Sequence, residues 1–167
     1  MPDVHVVTVD AADPQAVARV HAIRFEVFVD EQGVAPSDEL DDRDYEPGTR
    51  HLLAVRETGS SNGVQDLGTA RLLDDGPGMA HASRVAVRSL ARGLGVGRVL
   101  MTALEREALA AHADRCDPAD EIRMVLSAQE SALGFYAALG YAVSTKRYQE
   151  AGIWHRDAVK MLRPGGS

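Results

Sequence analysis

The sequence predicts an α/β chain of about seven strands and three helices. Two observations carry this. Short β-branched runs alternate with two longer stretches whose apolar residues recur at helical spacing. Clusters of glycine, proline and aspartate punctuate the boundaries between them. The order reads β-α-β-β-β-α-β-α-β-β, with no internal repeat and no linker. Residues 1–163 therefore read as one domain and 164–167 ("PGGS") as a tail.

Each element has a local reason. "VHVVTV" (Val4 to Val9) is a first strand. Asp13 followed by Pro14 is an N-cap with proline at the first helical position. Val17, Val20, Ile23, Val27 and Phe28 then share one face, which predicts a helix from Pro14 to about Val27. "HLLAVRE" (His51 to Glu57) and "LGTARLL" (Leu67 to Leu73) are strands joined by the turn-rich "TGSSNGVQD". "DDGPG" turns the chain into the strand "AHASRVAV". The second long helix carries Val96, Val99, Leu100, Ala103, Leu104, Ala108 and Ala111 on one side. "IRMVLSAQ" (Ile122 to Gln129) reads as a strand buried on both faces. "SALGFYAAL" (Ser131 to Leu139) is a short helix closed by Gly140. "YAVST" and "HRDAVKML" are the last two strands.

Composition narrows the function classes. The chain has 167 residues, 45% hydrophobic and 26% charged, as in an ordinary globular protein. No apolar run approaches the ~20 residues that span a bilayer. The N-terminus lacks the basic and apolar regions of a secretory signal. A single cysteine, Cys116, forms no intrachain disulfide and reads as a surface thiol. These features predict a cytoplasmic protein without membrane partners. Eighteen basic against 25 acidic residues give a net charge of −7, which argues against nucleic acid as a partner. His5, His21, His51, His81, His112 and His155 show no metal-ligand spacing, so no metal is expected. Between Asp30 and Glu46, eight acids face one arginine, Arg43. This segment reads either as a solvated loop or as an acidic rim that attracts a cation.

The most informative stretch is "RVAVRSLARGLGVGRVL", from Arg84 to Leu100. A strand feeds a glycine-rich turn and then a helix N-terminus. The first amides of a helix lack internal partners and favour an anion, glycine leaves the backbone approachable, and Arg92 and Arg98 add charge-assisted hydrogen bonds. No Gly-Lys pair occurs, so this is not a GxxxxGK[ST] loop. A GxGxxG fingerprint would need glycine where Arg98 stands.

What fits is Arg92-x-x-Gly95-x-Gly97. It resembles the pyrophosphate-binding R/Q-x-x-G-x-G/A motif of the GNAT superfamily of N-acetyltransferases. "VLSAQ" followed by "SALGFYAALGY" is similar to the last helix of that family and its turn into the next strand. "RFEVFVDEQG", "DELDDRDYEPGTRHLLAV", "GTARLL" and "SRVAV" resemble the ElaA-like branch, so the resemblance covers nearly the whole chain.

The resemblance implies a mixed, mostly antiparallel splayed sheet flanked by helices, and transfer of an acetyl group from acetyl-CoA to a primary amine. It implies that the strand at Arg84 to Val87 splays from that at Ile122 to Ser127, leaving the backbone of Val85, Ala86 and Val87 to pair with the pantetheine arm and to stabilise an oxyanion. The pyrophosphate falls to Arg92, Gly93, Leu94, Gly95, Val96, Gly97 and Arg98. Gln129 and Ser131 stand where many relatives place an asparagine that opens the last helix. Tyr136 is the implied proton donor to the departing thiolate. For the base that deprotonates the amine, Glu31 is the first candidate, His155 and Glu150 the second, and bulk water remains open. Trp154 packs beside the acceptor or caps a strand. The acidic segment suggests a cationic acceptor, and the family makes a homodimer an expected assembly. Two rival readings are an acyl-homoserine-lactone-synthase-like acyltransferase and a non-catalytic CoA-binding regulatory module.

Overall fold

The computed structural model describes residues 3–59, 63–115 and 120–164. Cys116 and residues 165–167 lie outside them. Seven strands form one mixed sheet: β1 (Val4–Val9), β2 (Arg50–Glu57), β3 (Val64–Asp74), β4 (Met79–Val87), β5 (Ile122–Gln129), β6 (Ala142–Glu150) and β7 (Ile153–Leu162), in the order β1-β2-β3-β4-β5-β7-β6. The helices are α1 (Pro14–Arg24), the single turn α2 (Pro36–Glu39), α3 (Val96–His112) and α4 (Leu133–Ala138). The chain forms two compact units, Met1–Arg71 with Arg84–Leu104, and Leu72–Ser83 with Glu105–Ser167.

In the first unit, Asp13 caps α1 as the sequence predicts. Its Oδ1 accepts from the amides of Gln15 at 3.1 Å and Ala16 at 3.3 Å, satisfying two orphan donors of the first turn. Val17, Val20, Ile23 and Val27 are buried against Val9, Leu53, Val55 and Ala86, with Phe28 packed on this cluster. The expected helix to about Val27 is α-helical only to Arg24. It continues as a wider π-helical stretch over Phe25–Glu31, ending at Gly33, whose φ of +75° turns the chain away.

The acidic segment is divided: Asp30, Glu31, Asp38, Asp42 and Glu46 are exposed, whereas two of its acids turn inward. Glu39 and Asp44 are 3% and 1% exposed, beside Arg24 at 0% and Arg71 at 2%. Arg24 donates to Glu39 Oε1 at 2.6 Å and to Asp44 Oδ1 at 2.7 Å. Arg71 donates to Asp41 Oδ1 at 2.6 Å and Asp44 Oδ1 at 2.8 Å. The ratio of eight acids to one arginine misled because the balancing arginines come from α1, β3 and β4, far away in sequence. Burial pushes the Asp44 carboxyl up, but the hydrogen bonds and charge of Arg24, then of Arg71, outweigh it and hold it at about 2. His51, buried beside them, donates Nε2–H to the Asp44 carbonyl at 3.0 Å, and its burial pushes the imidazole down.

In the second unit, β5 pairs in parallel with β4 from Met79↔Arg123 to Ala82↔Leu126. On its other side it pairs antiparallel with β7 from Ile122↔Leu162 to Gln129↔His155. The expectation that β5 is buried on both faces is not met. Ile122, Met124, Leu126 and Ala128 are buried, whereas Arg123, Val125, Ser127 and Gln129 are exposed or half-buried. One face is therefore apolar and packed, and the other carries polar groups. β6 and β7 form a hairpin closed by Ala151 and Gly152, with φ of +51° and +77°. Two successive positive φ values are what a two-residue type I′ turn requires.

Candidate active site

The first unit carries the glycine turn and the end of β4. Gly93 and Gly95 take φ of +84° and +80°, and a Cβ at either would meet nothing within 4 Å. These glycines are thus needed for a left-handed backbone, and the space around them is open. The Val99 amide bonds to the Gly95 carbonyl at 3.1 Å, so Val96, Gly97 and Arg98 supply the first-turn amides of α3, for which a helix offers no internal acceptor. Arg98 is exposed. Together these groups fit a diphosphate.

Arg92 is held rather than loose. Its Nε donates to the Val87 carbonyl at 3.2 Å, and its Nη2 to both carboxylate oxygens of Glu31, at 2.9 and 2.6 Å. The π-helical stretch brings Glu31 there. Upstream, Glu26 holds Arg88 in the same way, with Nε to Oε2 at 2.9 Å.

The backbone proposed for pantetheine follows Arg84, a non-glycine residue with φ of +52°. For an L-residue that conformation costs about 1–2 kcal/mol. The Arg84 side chain is tied down by the acidic segment. Nη2 donates to the carbonyls of Asp38 at 3.2 Å and Glu39 at 3.1 Å, and to Asp41 Oδ2 at 3.2 Å. The buried charges thus help set the course of β4 into Val85, Ala86 and Val87.

The second unit carries Tyr136, placed within it by the "FYAALGY" stretch. Gly140, φ +98°, ends α4. Its amide bonds to the Ala137 carbonyl at 3.1 Å, and the Tyr141 amide to the Tyr136 carbonyl at 3.1 Å. This is a Schellman cap, completed by the contact of the Tyr136 and Tyr141 rings with centroids 5.9 Å apart. Phe135 packs edge-on to Tyr136 on the other side at 5.0 Å. Burial pushes the Tyr136 hydroxyl up to about 12, so it remains a neutral O–H donor at any physiological pH. It makes no hydrogen bond to the described residues. Gln129 ends β5, and Ser131 lies in the 3₁₀ turn Glu130–Ala132 before α4. Neither side chain caps α4, whose N-cap is Ala132.

His155 is 7% exposed. Its Nδ1 lies 2.7 Å from the Ile153 carbonyl. A carbonyl only accepts, so Nδ1 carries a hydrogen and the neutral ring keeps its lone pair on Nε2. Nε2 lies 3.7 Å from Glu150 Oε2. Ser127, Tyr148 and Asp157 share this face of the sheet and were not singled out in the sequence. Their signal was present: polar residues recur at period two in 127/129, 148/150 and 155/157. Trp154 is exposed and stacks under the Arg147 guanidinium at 3.7 Å. Among the described residues no cluster of His, Cys, Asp and Glu has the arrangement of a metal site, and no helix is long and apolar enough to cross a membrane.

A family model described as an acetyltransferase (GNAT) domain matches residues 10–162. The chain belongs to the GNAT acetyltransferase family, whose members use acetyl-CoA as cosubstrate. The uncharacterized N-acetyltransferase YjcF of Bacillus subtilis is 33% identical over 140 residues, 83% of this chain and 87% of that protein. An acyl-CoA N-acyltransferase from Pseudomonas aeruginosa has a crystal structure similar to this one, with a TM-score of 0.75, 30% identity, and coverage of 95% of this chain and 99% of that one. The ElaA structure of Escherichia coli also gives a TM-score of 0.75, at 24% identity over 93% of this chain and 99% of that one, a likeness of fold.

Proposed function

We propose that this acetyltransferase moves the acetyl group of acetyl-CoA to a primary amine of a small molecule or peptide, with residues 1–163 acting as one catalytic domain. The observation that carries the donor is the turn at Arg92–Arg98, with two left-handed glycines, open space above them and helix amides behind. It suits a diphosphate, with Arg92 and Arg98 as cationic partners. The backbone of Val85–Val87 pairs with the pantetheine amides in the manner of an added strand, and an amide there stabilises the oxyanion.

In the reaction, an ammonium gives a proton to a base, and the free amine attacks the thioester carbon. A C–N bond forms, the C–S bond breaks, and the nitrogen gives up a second proton that makes good the one delivered to the thiolate, so of the two protons lost by the ammonium one stays on the base and one ends on sulfur. Tyr136 suits that last step because it stays protonated and its hydroxyl is not committed elsewhere. For the base, His155 Nε2 with Glu150 beside it is favoured over Glu31, because both oxygens of Glu31 are already engaged by Arg92. The net charge of −7 and the carboxylates of Glu150 and Asp157 on the open face favour a cationic acceptor.

Acetyl-CoA consumption measured against polyamines, aminoglycosides, amino acids and peptide N-termini tests the reading. Turnover with an amine, lowered by about 10²–10⁴ in Tyr136→Phe with acetyl-CoA binding unchanged, is the expected result. Acyl-carrier-protein turnover with S-adenosylmethionine would replace it by the lactone-synthase reading. Acetyl-CoA binding without turnover of any amine would replace it by a regulatory module.

A further inference from the structure

Two of the described residues other than glycine take a positive φ, Arg84 and Ala151. Ala151 lies in the β6–β7 hairpin turn, whose geometry demands it. Arg84 lies inside β4 with φ of +52°, where no turn calls for it. It stands two residues past Ala82, which ends the ladder with β5, and immediately before Val85–Val87. Glycine would take that φ freely. Arginine takes it only where its surroundings impose it.

The Arg84 side chain supplies that constraint within the first unit. Its Nη2 donates to the carbonyls of Asp38 and Glu39, at the end of α2, where a helix has no amide left to offer them. Nη2 also reaches Asp41 Oδ2 at 3.2 Å, and Nε lies 3.3 Å from Glu39 Oε1. These anchors are themselves fixed. Arg24 donates to Glu39 Oε1 at 2.6 Å and to the Glu39 carbonyl at 2.9 Å. Arg71 holds both oxygens of Asp41, at 2.6 and 3.2 Å. Burial pushes the Asp41 carboxyl up, but the hydrogen bonds and charge of Arg71, then the charge of Arg84, hold it below its ordinary value. Past Val87, the Arg88 amide bonds to the Leu67 carbonyl of β3 at 2.9 Å. With both ends of the stretch pinned, a change of φ at Arg84 falls on the peptide planes of Val85–Val87.

We propose that Arg84 is a positioning residue for the donor: its side chain, fastened to the end of α2 and to Asp41, holds the left-handed backbone that aims the peptide groups of Val85–Val87 at the pantetheine arm. The inference rests on the reading that this backbone pairs with pantetheine. It gives the acidic segment a task at the donor site. A residue 84 that lost these ties and kept a Cβ would hold the left-handed conformer in only about one molecule in 5 to 30. Apparent affinity for CoA would fall by the same factor, because only that fraction is competent to bind.

Arg84→Ala removes the ties and keeps the backbone cost, whereas Arg84→Gly removes both. The probes are CoA and ADP, which has the diphosphate and no pantetheine arm. Calorimetry reads their binding, and NMR reads the amides of Val85–Val87. Arg84→Ala is expected to shift those amide signals and to weaken CoA about 5- to 30-fold with ADP unchanged. Arg84→Gly, which takes either sign of φ about equally, is expected to lose only about twofold. A glycine variant as weak as the alanine one would overturn the proposal, since lost contacts alone treat the two alike. Equal weakening of CoA and ADP would overturn it too. Asp41→Asn gives an independent arm that leaves Arg84 in place. It is expected to weaken CoA by up to about fivefold in the wild-type background and to change nothing in the Arg84→Gly background. Equal losses in both backgrounds would remove the lock. Amide signals that move in Arg84→Ala while CoA affinity holds would instead remove the pairing of Val85–Val87 with pantetheine.

Discussion

Replacing Asp44 by asparagine removes one charge from the centre of the buried network and leaves its shape. Asp44 Oδ1 accepts from Arg24 at 2.7 Å and Arg71 at 2.8 Å, and Oδ2 lies 3.1 Å from His21 Nε2. The carboxyl is held at about 2, against an ordinary value of 3.8. At about 1.36 kcal/mol per pH unit, that gap is worth about 2 kcal/mol of folding stability at neutral pH. Asparagine also leaves two buried guanidinium groups short of counter-charge. Removing one partner of a buried pair costs about 3–5 kcal/mol, so the expected loss is between about 2 and 5 kcal/mol, a large share of the about 5–15 kcal/mol that holds a typical domain together. Urea unfolding at pH 7 reads it. A loss below about 1 kcal/mol, the size of an exposed ion pair, would refute the reasoning. A second signature follows from linkage. The folded-state value lies below the unfolded one, so the contribution of Asp44 is complete above the unfolded value and disappears as pH falls through about 2. The wild type's advantage should therefore narrow between about pH 5 and pH 1; a gap that stays constant would contradict the assignment.

Gly95→Asp, which adds bulk and negative charge to a residue with φ of +80°, should weaken acetyl-CoA binding at least tenfold by calorimetry; the strain of about 1 kcal/mol should leave the circular dichroism unchanged. Gly95→Ala separates the strain from the charge. Gly68→Ala should destabilise the fold by about 1–3 kcal/mol in urea, because its Cβ would sit 2.8 Å from the Ala86 carbonyl and 3.0 Å from Leu100 Cδ1. Glu31→Gln should release Arg92 and tighten acetyl-CoA binding by up to about fivefold, the worth of a part-exposed pair. A fall in kcat with unchanged acetyl-CoA affinity would return Glu31 to the role of base.

The strands, α1, α3 and the Arg92–Arg98 turn were legible because each is specified locally. Asp13-Pro14 starts a helix, and glycines at 93 and 95 supply positive φ wherever they stand. The β6–β7 hairpin was harder to see. Its turn is Ala151-Gly152 rather than the Asn-Gly or Asp-Gly that announces a type I′ turn, so Tyr148 to Glu150 fell outside both expected strands, "YAVST" and "HRDAVKML". The buried charges were invisible for a different reason. Arg24, Arg71 and Arg84 are 47 and 13 residues apart in sequence, and no pattern of spacing tells an arginine that turns inward from one that faces water. Glu31 was singled out as a catalytic candidate, and its pairing with Arg92 depends on how far the first helix runs on in the wider π geometry before it stops.

That widening has a consequence for inheritance. A π-helical turn is in effect an α-helix that carries an extra residue. Removing one residue from Phe25–Glu31 would return the stretch to α geometry and leave what precedes and follows it in place. Glu26, upstream, would keep Arg88, and a carboxylate at the end of the stretch would still meet Arg92. Along this segment the length can therefore drift as well as the side chains, so long as the carboxylates at its two ends survive. Lineages that lose the end carboxylate would have to find another way to restrain the first arginine of the glycine turn, or leave it unrestrained.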